Sequence, residues 1–131
     1  MTTNTAEAGL SALVSLSEDP LDREYLHKNY HALGCSDVLL DVYRIYQESA
    51  PQKLEQLRLL TQKEDLEPII ALAHGLKGES GSVGGRFIMP AAAALEKAAR
   101  NGDLQDVQRL MPELELQLKR TLEAIERELQ A

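Results

Sequence analysis

The chain has 131 residues, enough for one hydrophobic core and too few for two. A formal net charge of −7 argues against a nucleic-acid partner, which would need a basic patch, and 4% aromatic residues with no Trp favours helices packed through aliphatic side chains over a β-sandwich. Cys35 is the single cysteine, which excludes an intramolecular disulfide and a cysteine-based zinc site.

The first five residues are polar. Leu10, Leu13, Val14 and Leu16 allow a short amphipathic helix between Ala6 and Ser17, so residues 1–18 read as an N-terminal extension. The N-terminus lacks the basic residues and apolar run of a signal peptide, and no 18-residue apolar stretch exists, so a cytoplasmic chain without a membrane span is expected. Asp19 as N-cap, Pro20 at the first helical position and Asp22 predict a helix that ends at Gly34. Within it, His27 and His31 share an i,i+4 spacing that suits two imidazoles on one metal, but no third strong ligand lies nearby and no metal site is expected.

Ser36 is then placed to cap a long helix reaching about Gln62, with Val38, Leu39, Val42, Ile45, Tyr46, Leu54, Leu57 and Leu60 at helical spacing. Pro51 falls inside it and predicts a kink or break near Ser49-Ala50. Glu64 or Asp65 opens the next helix, Pro68 lies in its first turn, and Gly84-Gly85 closes it. Another helix runs to about Asn101 and stops at Gly102, with Pro90 inside it and an Ala91–Ala94 run that admits a close neighbour. Asp103 caps a last helix carrying Leu104, Val107, Leu110, Leu114, Leu118, Leu122, Ile125 and Leu129, a stripe that suits bundle core better than a dimerising zipper, so a monomer is expected. The whole is all-α: an antiparallel four-helix bundle over residues 19–131, with one or two short additional helices at its N-terminal side.

The third of these long patterns carries chemistry. Leu66, Ile69, Ala73, Leu76, Ser80 and Val83 recur at steps of three and four and define a buried face, and His74 lies well off it. Ala71, Gly78, Gly81 and Gly85 fall near His74 on the helical projection, with Gly75 beside it, although each helix-interior glycine costs about 0.5–1 kcal/mol relative to alanine. The histidine therefore projects from a strip nearly free of side chains, with Lys77 one turn away to bring a positive charge. An exposed, unobstructed imidazole of this kind suits nucleophilic capture of an anionic group delivered by a large partner.

His-x-Leu-Lys-Gly-x-Ser-x-x-Val-Gly from His74, followed by Leu95-Glu96 and Asn101-Gly102-Asp103, resembles the signature of histidine-containing phosphotransfer domains of phosphorelays, over roughly 100 residues from about Leu21 onward. Gly75 departs from the Thr or Ser often found after the histidine, and Pro90 is a second departure. The resemblance implies that His74 accepts a phosphoryl group from an aspartyl phosphate of a receiver domain and relays it to a response-regulator aspartate. A hybrid sensor histidine kinase and response-regulator receivers are the implied partners. The chain would need no cofactor of its own, Mg²⁺ being expected on the receiver, and without an ATP-binding loop it would have no autonomous kinase activity.

If the helices flanking Gly84-Gly85 form a hairpin, His74 and Glu96, each eleven residues from Gly85, stand at one height. Glu96 can then orient the imidazole through Nδ1, as the resemblance also implies; an i,i+4 surface pair with Arg100 is the plainer reading. Lys77 is expected to stabilise the phosphoryl group and Ala71, Gly75, Gly78, Gly81 and Gly85 to admit the partner; Arg100 and Arg86 are further candidates for adding positive field. Two alternatives stand beside this: a non-catalytic helical adaptor for a receiver domain, and a substrate of a chemotaxis-type histidine kinase.

Overall fold

A computed structural model describes residues 18–131; the helix expected between Ala6 and Ser17 lies outside the described residues. Among the described residues a short helix α1 (Arg23–Leu26) runs directly into a π-helical turn, His27–His31. Four long helices follow: α2 (Ser36–Gln62), α3 (Leu66–Ser82), α4 (Ile88–Arg100) and α5 (Leu104–Gln130). Each packs against the next and α5 returns to α2, so the four close into an antiparallel bundle. Leu39, Tyr43, Tyr46, Ala50, Leu57, Ile69, Leu76, Leu95, Leu114, Leu118 and Ile125 fill its centre. No described helix is long and apolar enough to cross a membrane.

Four chain reversals end in the same way. Gly34, Glu64, Gly84 and Gly102 have φ values of 72°, 60°, 72° and 68°, and the amide after each donates to the carbonyl five residues back: Cys35 to Tyr30, Asp65 to Leu60, Gly85 to Ser80 and Asp103 to Ala98. Only Glu64 takes this left-handed conformation with a side chain, at a cost of about 1–2 kcal/mol.

Several expected boundaries shift. The first helix starts at Arg23, not after Asp19, because Pro20–Asp22 is held extended against the α3–α4 turn: the Asp22 amide donates to Gly84 O (2.7 Å) and the Arg86 amide to Pro20 O (3.1 Å). Asp22 is the actual cap, accepting from the Tyr25 amide at 3.0 Å, while Asp19 accepts from Leu21. Ser36 is the first residue of α2 and caps nothing; its hydroxyl meets His31 Nδ1 at 2.7 Å. Pro51 does not break α2: wholly buried Ala50 and Leu57 hold the helix to the core on both sides of it. Pro112 sits inside α5 in the same manner, between buried Met111 and Leu114. Pro90 occupies the third position of α4, in the first turn, where no intrahelical bond is lost. Val38 and Ile45, apolar and at helical spacing, are 51% and 66% exposed, since Tyr43 and Tyr46 take the inward stripe of α2 and leave its shoulder outside.

Candidate functional site

The α3–α4 hairpin sets the site. Gly84 turns left-handed and Gly85 packs so tightly that a Cβ would strike Ile88 Cγ2 and stand 3.0 Å from Ser80 O. The turn thus fixes the register of the two helices and brings His74 level with Glu96: Nδ1 lies 3.0 Å from Glu96 Oε2. The two side chains differ sharply in environment, His74 being 63% exposed and Glu96 7%.

Glu96 is a hub. Lys77 Nζ donates to its Oε1 at 2.9 Å, and Arg100 Nη2 and Nε donate to its Oε2 at 2.8 and 3.1 Å. The Lys77 and Arg100 hydrogen bonds hold its pKa down to about 2 against the opposing effect of burial. An ionised carboxylate only accepts, so Nδ1 of His74 is the donor, and in the neutral ring that tautomer leaves the lone pair on Nε2. Glu96 therefore makes both contacts weighed from sequence, the ring and the i,i+4 guanidinium. Lys77 is held by a carboxylate rather than left free beside the ring.

The small residues divide. Ala71 and Gly78 are exposed, and nothing lies within 4 Å of where a Gly78 Cβ would stand. Gly75 is half-buried beneath the Lys53 stem, and Gly81 beneath Met89, each neighbour 3.3 Å from a hypothetical Cβ. Gly85 is buried and turned into the molecule, so it corrects the expectation of five glycine and alanine positions facing a partner: its vacancy serves the hairpin. Arg86 is not part of the hub: it pairs with Glu18 (3.0 Å) and lies 5.3 Å over the Phe87 ring, in the turn beyond Ser82, which is itself roughly 12 Å along the helix from His74. His27 and His31 have ring centroids 6.4 Å apart, and among the described residues no group of three or more His, Cys, Asp or Glu is placed to hold a metal ion.

Two features escaped the sequence reading, both between α2 and α3. Tyr46 and Ser80 share a buried hydroxyl contact of 2.8 Å, with burial pushing the Tyr46 phenol up. Lys53 Nζ donates to Glu79 Oε1 (2.5 Å) and to Ser49 Oγ (2.9 Å). The equidistance rule that paired His74 with Glu96 finds only the Ser49–Glu79 contact when centred on Glu64, each fifteen residues away; Tyr46 and Ser80 stand eighteen and sixteen residues from it.

The model of the Hpt domain family matches residues 41–128, a span that takes in most of α2 and all of α3, α4 and the hub. Comparison with curated proteins and with solved structures gave no match.

Proposed function

The chain belongs to the Hpt domain family, and from that premise we propose that His74 is the phosphoryl acceptor of a phosphorelay, loaded from an aspartyl phosphate on one receiver domain and discharged to the aspartate of another. Members of this family carry out histidine phosphotransfer between two-component signalling proteins. The observation that carries the assignment to His74 is the asymmetry of its ring: Nδ1 is engaged by buried Glu96, and the opposite edge is exposed beside open Gly78.

In the forward step the Nε2 lone pair attacks phosphorus as the acyl P–O bond breaks. The receiver aspartate leaves as a carboxylate. The Nδ1 proton stays on the ring, which becomes cationic against Glu96, so no general base is required. Lys77 can exchange a Glu96 oxygen for a phosphoryl oxygen, and Arg100 remains to hold the carboxylate in place. Mg²⁺ belongs to the receiver in this scheme and would supply the remaining charge neutralisation there. The receiver docks across Ala71 and Gly78 and onto the apolar shoulder where Val42, Ile45 and Ser82 line a shallow depression of about 190 Å³. The chain acts as a monomer without kinase activity of its own, and the need for receivers and their kinase places it in the cytoplasm.

Incubation with a phosphorylated receiver is expected to label the chain with an acid-labile, base-stable phosphate. His74→Gln is expected to abolish the label while circular dichroism stays unchanged. A label that persists in this variant removes His74 as acceptor, and a wild-type chain that binds the receiver without taking label is an adaptor.

A further inference from the structure

Gly75, next to the acceptor, has no side chain, and the space is taken by a residue of another helix. Lys53 crosses from α2 so that its Cε stands 3.3 Å from where a Gly75 Cβ would be. A serine or threonine there would press on the lysine stem. Beyond Cε, the ammonium rests on Glu79 Oε1 and Ser49 Oγ, and the side chain is 24% exposed, partly covered and partly open to solvent.

On the helical projection Gly75 lies about 100° from His74 on the α2 side, and Lys77 lies about 60° away on the α4 side. Two lysines thus flank the acceptor, each resting on a carboxylate: Lys77 on Glu96 and Lys53 on Glu79. Both carboxylates carry a single charge, whereas a phosphoryl group carries about −1.5 to −2 at neutral pH. A lysine ammonium has three donors on a rotatable stem, so Lys53 can keep Ser49 and still turn one donor outward.

We propose that Lys53 is a second cation of the phosphoryl site, resting on Glu79 in the unmodified protein and drawn to the phosphoryl oxygens of phospho-His74 from the α2 side. The proposal rests on the reading of His74 as acceptor. It also accounts for Gly75, whose missing side chain admits the lysine to the acceptor's own turn.

The competing role is a latch that ties α2 to α3 and never touches phosphate. Phosphoramidate loading of the chain, followed by ³¹P NMR titration of phospho-His74, separates the two. Lys53→Met is expected to raise the phosphoryl pKa by at least about 0.5 unit and shorten the phosphohistidine half-life several-fold, with Lys53→Arg restoring both. A lysine that stays on Glu79 acts only through a screened field, worth less than about 0.2 unit. Glu79→Gln breaks the same latch but frees the lysine, so the phosphoryl pKa should stay at or below the wild-type value. A Lys53→Met titration within about 0.2 unit of wild type, or a rise in Glu79→Gln matching that in Lys53→Met, overturns the proposal. Wild-type protein that takes no phosphate on His74 instead overturns the acceptor reading.

Discussion

The inner face of α3 presents Ile69, Ala73, Leu76 and Ser80, each wholly buried, while its outer face presents Ala71, His74 and Gly78 to open space. The inner face is specified by volume: every position is filled, and even the Ser80 hydroxyl has its partner in Tyr46. The outer face is specified by vacancy, with Gly78 kept where no neighbouring atom would resist a side chain. A single helix therefore separates stability from encounter by about half a turn, and mutations on its two faces should fail in different assays.

The largest break in that contrast is expected from Leu76→Ala. It opens a cavity in the core and should lower unfolding free energy by about 2–5 kcal/mol in denaturant titration, while the folded fraction still accepts phosphate on the neighbouring face. Retained stability would mean that the inner face is loosely packed.

The glycines sharpen the comparison further, since they lie in one strip and belong to different faces. Gly85→Ala forces a Cβ against Ile88 and the rigid Ser80 carbonyl and is expected to lower stability by about 1–3 kcal/mol. In Gly78→Leu the added Cβ meets nothing within 4 Å, so the variant's stability should hold or rise slightly. Its receiver affinity, measured by calorimetry, should weaken by at least about 1 kcal/mol, the scale of an overpacking clash. Unchanged affinity would move the docking surface away from the strip.

The smallest effect concerns the hub that joins the faces. The folded pKa of Glu96 is held at about 2, below its ordinary value of 4.5, chiefly by Lys77 and Arg100. Because the folded value is the lower one, the stabilisation is present above about pH 4.5 and drains away as pH falls toward 2. Glu96→Gln should flatten the acid limb of the stability profile in that window, and an identical limb in the variant would mean that Lys77 and Arg100 do not hold the carboxylate.

Much of this was legible in residue order. Helical periodicity located the four long elements and the buried face of α3, and two equal counts from Gly85 located the Glu96 contact, because an antiparallel hairpin with a tight turn leaves little freedom in register. Periodicity was blind where tertiary contacts overrule local preference. Pro20 and Leu21 read as the start of a helix, yet the α3–α4 turn offers them backbone partners and holds them extended. Val38 and Ile45 share the helical spacing of buried neighbours, but a bundle helix buries only one stripe, and in α2 two tyrosines take it. Gly75, Gly78 and Gly85 look alike in a sequence; what distinguishes them is a lysine from α2, open space and an isoleucine from α4.

The sharing of Glu96 among an imidazole, an ammonium and a guanidinium has a consequence for the proposed relay. A phosphoryl group arriving on His74 does not meet idle cations; it must exchange with a carboxylate already in possession of them. In that scheme loading is a swap of anions around fixed cations, so the electrostatic part of the step is a difference between two contacts, phosphoryl against carboxylate, rather than the full strength of either.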